Sequence, residues 1–314
     1  MAELTANGIR LHYQHLRTAG STPAATAANA TAAAGATARD KTAAPDETTT
    51  PAKTTAPVNT TAPVNTTTPG DAPPVVVFLH GLVMDNLSSW YFTIANAVAA
   101  EHEVLLYDLR GHGKTQRPAT GYAVADMVAD LHALLQTSGV GNRRVELIGN
   151  SFGGLLAVAF ALAHPERVSG LALVDGSVHD AAWGAEMTDT LGLEGEEARI
   201  KIAESFRGWT GRHSEKKRNR LAKTAAALVY DTSMVRDLAG SPPPPEADLR
   251  ALNCPVLALY GADSDVRARG ERQAALFPRC DLRIHAGCTH SILWERTTEL
   301  RAELSTWLSA KERP

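Results

Sequence analysis

Cysteine is scarce in this sequence, and its placement offers neither a disulfide framework nor a metal site. The 314 residues include three cysteines, an odd number without the spacing of metal ligands: Cys254, Cys280 and Cys288. Such usage is typical of reduced, cytosolic thiols. We therefore expect no disulfides, and no metal is called for.

Long apolar runs and a strong charge of either sign are also missing. No stretch reaches the ~18 apolar residues that a membrane span needs, and residues 1–10 contain no apolar core of a signal peptide. The formal net charge is −3, so no bulk field attracts nucleic acid. These absences favour a soluble, cytoplasmic protein without a nucleic-acid or membrane partner.

Large apolar and aromatic residues are nearly absent from residues 18–73, which are mainly Ala, Thr and Pro. This composition buries too little apolar surface to offset the entropy of ordering, so we predict a disordered insertion. Residues 1–17 precede it. There the turn dipeptide Asn7-Gly8 and the alternation of apolar residues predict a hairpin.

Short β-type runs alternate with helical runs from residue 74 onward, as in a parallel sheet covered by helices. Apolar runs predict strands at 74–79, 104–108, 145–148, 170–175, 255–261 and 281–285, with helices at 91–100, 126–137 and 297–310. Between them, residues 177–248 contain helical stretches without strands. We therefore divide the chain into a hairpin of the core (1–17), the insertion (18–73), a core segment (74–176), a helical cap (177–248) and a second core segment (249–314).

One strand-to-helix turn carries the pattern Gly-x-Ser-x-Gly, in residues 149–153. In such a nucleophile elbow the serine takes a strained backbone conformation, and the glycines let strand and helix pass close together. The serine hydroxyl then stands at the head of a helix, where free N–H groups favour negative charge. Since a strand precedes the turn and a helix follows it, we favour Ser151 as a nucleophile over an incidental serine in a glycine-rich turn.

A serine nucleophile needs a general base, and the turn after the last predicted strand offers His290. This position fits the chain order serine, acid, histidine. His285 lies five residues earlier, within the strand, and we interpret it as structural.

These motifs together resemble the α/β-hydrolase-fold serine hydrolases over residues 1–17 and 74–314. The resemblance is carried by His80-Gly81, Asp108-x-Arg110-Gly-His112-Gly113, the elbow around Ser151 and Gly287-x-x-His290. It implies an α/β class fold with a mostly parallel, doubly wound sheet, and a helical cap inserted after the strand that ends at Asp175. It further implies no cofactor, a structural turn from Asp108 to Gly113, and an oxyanion hole formed by the backbone N–H groups of Leu82 and Phe152.

The acid of the triad departs from the commonest pattern of this family. Most members place it three residues after the glycine that ends the penultimate strand, and that position is Ser264 here. Asp263 and Asp265 flank it. Other branches place the acid one strand earlier, where this sequence has Asp175. We favour Asp175, with Asp265 as the alternative.

Two features bear on the substrate. The loop from Leu82 to Phe92 offers an apolar and aromatic wall, with Val83, Met84 and Trp90 as candidate substrate-binding residues, and it is similar to loops of thioesterases that release polyketide and polyether chains from acyl carrier proteins. The second feature is a basic run that could attract an acidic carrier protein, although such a run is also typical of a solvated helix face: Arg207, Arg212, Lys216, Lys217, Arg218, Arg220 and Lys223.

The predicted function is therefore hydrolysis of an ester or thioester through an acyl-enzyme, including release of a polyketide chain from a carrier protein. C–C bond hydrolysis or a lyase step on the same fold is the alternative. A non-catalytic binding protein on a hydrolase scaffold is disfavoured because Ser151, His290 and the oxyanion-hole motif are all present. Epoxide and haloalkane hydrolases are disfavoured since they use Asp at the nucleophile position.

Overall fold

The computed structural model of the protein describes residues 2–17, 73–176, 178–180, 182–191 and 215–310, without the side chains of 190–191 and 215–220. The insertion predicted over 18–73 lies outside the described residues except for its last position. The same is true of part of the predicted cap.

An eight-stranded sheet runs through the core of the described residues. Its strands are β1 Ala2–Ala6, β2 Ile9–Leu16, β3 Val75–Leu79, β4 Val104–Tyr107, β5 Val145–Asn150, β6 Val168–Val174, β7 Val256–Gly261 and β8 Cys280–His285. They lie in the order β1-β2-β4-β3-β5-β6-β7-β8. Neighbouring strands from β4 to β8 pair in parallel, and β1 and β2 join as an antiparallel ribbon. The mostly parallel sheet is the one that the sequence predicts.

The hairpin of β1 and β2 turns at Asn7-Gly8, with Ala6 opposite Ile9. Both turn residues have positive φ, 49° and 75°, which is the conformation that an Asn-Gly hairpin turn requires. Strand β2 then pairs with β4, so the hairpin extends the parallel sheet.

Helices cover both faces of the sheet, which explains why the central strands are apolar along their whole length. Every residue of β3, β4 and β7 is buried. Helices α2 (Val124–Thr137) and α3 (Phe152–Ala163) pack on one face, and α1 (Ser88–Trp90, Tyr91–Ala95 and Asn96–Val98) packs on the other. Because burial of one Val or Leu side chain stabilises by about 1.5–3 kcal/mol, these two interfaces carry much of the folding free energy.

Two helices begin earlier than the sequence predicts. Helix α1 begins at Ser88 and ends at Val98, and its middle turn, Tyr91–Ala95, is π-helical. Helix α2 starts two residues before the predicted Asp126, because the Asp126 carboxylate accepts the N–H of Ala123 at 3.0 Å and caps the helix there.

Between β6 and β7 the described residues form the helices α4 Trp183–Leu191, α5 Glu215–Tyr230, α6 Met234–Ala239 and α7 Glu246–Arg250. Asp237 of α6 accepts the N–H of Tyr122 at 3.0 Å, which holds α6 against the start of α2. Arg269 pairs with Asp180 at 2.9 Å and with Glu186 at 2.8 Å, which ties α4 to the helix that follows β7. That helix is α8, Arg267–Ala274.

The chain closes with α9 (Ile292–Glu295) and α10 (Thr297–Ser309), and Leu300, Leu304 and Trp307 of α10 complete the face that α1 covers. No helix in the described ranges is both long enough and apolar enough to cross a membrane. Since β3, β5, β6 and β7 are parallel, their carboxyl ends meet at one edge of the sheet, where open α/β sheets place their ligands.

Candidate active site

Ser151 occupies the sharp turn between the end of β5 and the start of α3. Its backbone φ is 53° and ψ is −120°, a combination that a residue with a side chain rarely adopts. A β-carbon on Gly149 would lie 2.3 Å from the backbone of Gly153, and one on Gly153 would lie 2.2 Å from the carbonyl oxygen of Leu79. Only glycine fits at both positions, so the elbow pattern has a direct steric cause.

His290 and Asp175 reach Ser151 from the ends of two other strands. His290 Nε2 lies 2.9 Å from Ser151 Oγ, and His290 Nδ1 lies 2.6 Å from Asp175 Oδ2. Because a carboxylate only accepts hydrogen bonds, Nδ1–H donates to Asp175, and Nε2 is left to accept the hydroxyl proton of Ser151. A hydrogen-bonded row of this kind can activate a serine for acyl transfer.

Asp175 is held in one orientation by the turn after β7. Asp175 is 1% exposed, and its φ of 49° lies in the left-handed region. The N–H of Gly261 donates to Oδ1 at 2.9 Å, and the hydroxyl of Ser264 donates to Oδ2 at 2.5 Å. The same oxygen therefore accepts hydrogen bonds from both Ser264 and His290.

Asp265, the alternative acid, lies on the surface. Its Oδ1 is 3.9 Å from His290 Nδ1, beyond hydrogen-bond range, and its side chain is 84% exposed. Asp263 is also exposed. Burial alone would lower the pKa of His290, but the hydrogen bond and charge of Asp175, with a smaller contribution from Asp265, raise that pKa above its usual value.

Two backbone N–H groups beside Ser151 have no acceptor among the described residues, those of Leu82 and Phe152. Their neighbours are occupied: Gly81 N–H donates to Asp85 Oδ2 at 2.9 Å, and Val83 N–H donates to His112 Nε2 at 2.8 Å. A β-carbon on Gly81 would lie 3.6 Å from Ser151 Cβ, so this loop borders the nucleophile. These free donors are available to bind an oxyanion.

A family model described as the alpha/beta hydrolase fold matches residues 74–297, which is more than half of the chain. The chain belongs to the α/β-hydrolase fold family. The predicted fold class is thereby confirmed.

Curated relatives in this family have several activities in their names. The putative carbamate hydrolase RutD of Cronobacter sakazakii is 36% identical over 111 residues, which cover 35% of this chain and 40% of that protein. The 2-hydroxy-6-oxononadienedioate/2-hydroxy-6-oxononatrienedioate hydrolase of Burkholderia vietnamiensis is 28% identical over 228 residues, covering 62% of this chain and 73% of that protein. The chain spans about two fifths of the length of the RutD relatives from the two Cronobacter species.

Solved structures of the family superpose on this chain over most of its length. The esterase RhEst1 from a Rhodococcus species has a TM-score of 0.62 and 26% identity, covering 76% of this chain and 92% of the esterase.

The residues predicted to bind substrate lie deeper in this α/β-hydrolase fold than expected. Trp90 is fully buried, its ring is 5.0 Å from that of Phe78, and its indole N–H donates to Leu79 O at 2.9 Å. Trp90 therefore lies within α1 and packs in the core, because the helix starts earlier than predicted and turns this side chain inward. Val83 and Met84 are each 5% exposed and belong to the core on the opposite face of the sheet.

Two polar side chains of the site were not assigned a role from the sequence, Ser264 and Asp85. Ser264 marks the usual acid position, but its contact with Asp175 depends on the pairing of β6 with β7. Asp85 follows Gly81, which lies two residues after β3, by four residues, a spacing at which a carboxylate can turn back to a backbone N–H. That local pattern is the signal that could have indicated Asp85.

The basic run of the predicted cap is only partly represented in the structure. Lys223 is exposed on α5. The remaining side chains lie outside the described residues: Arg207, Arg212, Lys216, Lys217, Arg218 and Arg220. In the described part of the chain, no group of three or more His, Cys, Asp or Glu side chains is placed to hold a metal ion.

Proposed function

We propose that this protein is a serine hydrolase that cleaves an ester or thioester through an acyl-enzyme intermediate. The observation that carries the proposal is the continuous hydrogen-bonded row from Ser151 through His290 to the buried Asp175, at 2.9 and 2.6 Å. The similarity to a Rhodococcus esterase at 26% identity supports an ester as substrate.

Acylation begins when Ser151 Oγ attacks the carbonyl carbon of the substrate while His290 Nε2 takes the hydroxyl proton. The negative charge that develops on the carbonyl oxygen is bound by the N–H groups of Leu82 and Phe152. Loss of one such donor typically lowers kcat by ~10²–10³-fold. Asp175 stabilises the imidazolium that forms and keeps its Nδ1–H directed away from the serine.

The tetrahedral intermediate collapses when its bond to the leaving group breaks. His290 Nε2–H returns the proton to the departing oxygen or sulfur, which leaves as an alcohol or thiol. A water molecule then attacks the acyl-enzyme with His290 as base, and Ser151 recovers its proton as the carboxylic acid is released. An internal hydroxyl of the substrate in place of water would give a lactone.

C–C bond hydrolysis is the second candidate. The relative from Burkholderia vietnamiensis, covered over 73% of its length, acts by its name on a 2-hydroxy-6-oxo dienedioate. Such a compound contains no ester or amide, so its hydrolysis cleaves a carbon–carbon bond beside the ketone. The same serine, base and oxyanion donors can serve that reaction, because it also places negative charge on a carbonyl oxygen.

Release of an acyl chain from a carrier protein is a narrower form of the first candidate. It depends on the loop after β3 and on the basic run of the cap: Arg212, Lys216, Lys217, Arg218 and Arg220. The direct check is the salt dependence of kcat/KM for a carrier-bound acyl chain, compared with the same chain on N-acetylcysteamine. Steering by the basic run predicts that only the carrier-bound substrate slows as salt rises.

The first test of the function separates reactive serine from substrate class. A fluorophosphonate should label wild type at Ser151 and leave Ser151→Ala unlabelled. Turnover is then compared for an oxygen ester and an N-acetylcysteamine thioester with the same acyl group, and for a 2-hydroxy-6-oxo dienoate. Faster turnover of the ester or thioester, lost in Ser151→Ala, supports the proposal. Turnover of the dienoate alone would favour C–C hydrolysis over ester or thioester hydrolysis. Absence of labelling at Ser151 would overturn both candidate functions.

A further inference from the structure

The loop that carries the Leu82 N–H is held from both sides by side-chain acceptors. Asp85 Oδ2 accepts the N–H of Gly81 at 2.9 Å, and His112 Nε2 accepts the N–H of Val83 at 2.8 Å. Met84 N–H turns back to the carbonyl of Leu82 at 2.9 Å, closing a tight turn centred on Val83. These contacts leave the Leu82 N–H as the unused donor in the middle of the clamp.

The clamp holds a conformation that the chain would not adopt unaided. Val83 has a φ of 67°, in the left-handed region that a β-branched residue strongly disfavours. Such strain persists only where surrounding contacts over-determine the backbone. Asp85 supplies such a contact at Gly81, and His112 supplies one at Val83.

Asp85 is itself fixed at the position it needs. Its Oδ1 accepts the N–H of Asn86 at 2.9 Å and also the hydroxyl of Ser89. A β-carbon on Gly81 would lie 3.3 Å from Asp85 Oδ2 and 3.6 Å from Ser151 Cβ. The carboxylate is therefore built into the wall of the nucleophile site.

The electrostatic setting of Asp85 indicates a role other than simple stabilisation. Burial, with a smaller contribution from the charge of Asp108, raises the pKa of Asp85 to about 7 in spite of its hydrogen bonds. His80, which precedes the loop, and His112, which contacts it from the turn after β4, add no compensating positive charge. Burial lowers the pKa of His80 and lowers that of His112 to about 4. A carboxyl whose folded pKa is raised opposes folding once it ionises, and strongly shifted groups concentrate at functional sites.

We propose that Asp85 is a positioning residue of the oxyanion hole: by accepting the Gly81 N–H opposite the His112–Val83 contact, it presents the Leu82 N–H to the oxyanion. This inference rests on the proposed serine-hydrolase function. It assigns to Asp85 an effect on the transition state and none on binding of the uncharged carbonyl.

The test compares Asp85→Ala, Asp85→Asn and wild type. Asp85→Ala should slow labelling by a fluorophosphonate and weaken a trifluoromethyl ketone inhibitor, each by about 10-fold, less than removal of a whole donor. Affinity for the matching methyl ketone should stay unchanged. Asp85→Asn keeps an oxygen acceptor for Gly81 and should restore most of the loss. If a substrate is in hand, the loss in Asp85→Ala should fall on kcat with KM nearly unchanged.

A matched control is Asp126→Ala, which removes another partly exposed carboxylate that accepts a backbone N–H, at the start of α2. It should lower Tm without changing the preference for the fluorinated ketone. Asp85→Asn should have a Tm at mildly alkaline pH equal to or above that of wild type, because it removes the ionised group that opposes folding.

The outcomes separate this inference from the function on which it rests. Equal loss of affinity for both ketones in Asp85→Ala, or no loss for either, overturns the role of Asp85 while leaving the serine hydrolase intact. Failure of wild type to react with the fluorophosphonate overturns the proposed function itself.

Discussion

The turns that follow β6 and β7 each present an aspartate near His290, and the two carboxylates have opposite environments. Asp175 is 1% exposed and accepts hydrogen bonds from Gly261, Ser264 and His290. Asp265 has an 84% exposed side chain and comes no closer to His290 Nδ1 than 3.9 Å. In the turn after β7, the side chain that contacts Asp175 is that of Ser264, which donates a hydrogen bond to it. Fixed direction and enclosure, more than proximity, therefore distinguish an orienting acid from a surface charge.

The largest expected effect comes from Asp175→Asn. The amide can donate to Nδ1 and stabilise the wrong tautomer of His290, so kcat/KM for the best ester should fall by ~10⁴-fold. Asp265→Asn, the matched control, should stay within a few-fold of wild type. If the two variants exchanged these values, Asp265 and not Asp175 would be the acid that orients His290.

A transfer of the acid between the two turns should recover part of that loss. Ser264 Oγ lies 2.5 Å from the oxygen of Asp175 that binds His290, so a carboxylate at 264 can reach toward the ring. In Asp175→Asn combined with Ser264→Asp, kcat/KM should rise above the single variant but stay ~10²-fold below wild type, as misplacement by about 1 Å can cost this much. Ser264→Asp alone, with Asp175 retained, controls for damage to the turn. A double variant no faster than Asp175→Asn would show that only the turn after β6 can orient the histidine.

Loss of the hydroxyl of Ser264 should have an intermediate effect. Ser264→Ala removes one hydrogen bond to the Asp175 carboxylate, and a bond to a charged group contributes about 1.5–3 kcal/mol. Part of this contribution supports the ground state as well, so kcat/KM should fall by about 10-fold. Ser264→Thr keeps a hydroxyl and should retain most activity. Equal activity of the Ala and Thr variants would remove Ser264 from the acid's support.

The smallest expected effect is a shift in pH dependence. His290 must be neutral to accept the serine proton, and the charge of Asp265 contributes to raising the pKa of His290. Asp265→Asn removes a negative charge that stabilises protonated His290, so the pKa of His290 falls. The acid limb of the kcat/KM profile should therefore move slightly to lower pH. The plateau rate at higher pH should not change. A shift to higher pH would contradict the assigned sign.

The fold could be predicted because it depends on local sequence signals that tertiary packing reinforces. Alternating strand and helix runs predicted a mostly parallel sheet, and the steric clash at Gly149 and Gly153 explains why the elbow pattern was informative. The structure brings Ser151, His290 and Asp175 together, and their catalytic roles stay predictions until turnover is measured. The substrate-binding role expected of Trp90 stays a prediction. The structure shows its ring buried in a helix that begins at Ser88, three residues before the predicted start.

The elements, their order and the position of the elbow turn could be predicted from the residues alone, because they depend on residue periodicity and on backbone sterics over a few positions. The choice between Asp175 and Asp265 as the partner of His290 required the assembled fold, since it depends on the pairing of β6 with β7 and on which carboxylate this pairing buries. The contact of Asp85 with Gly81 spans only four residues of the sequence. The role proposed for it depends on His112 and Ser151, which lie far along the chain. Hydrogen bonds between distant segments form only when the sheet has assembled, and they select one charged residue among several equivalent ones.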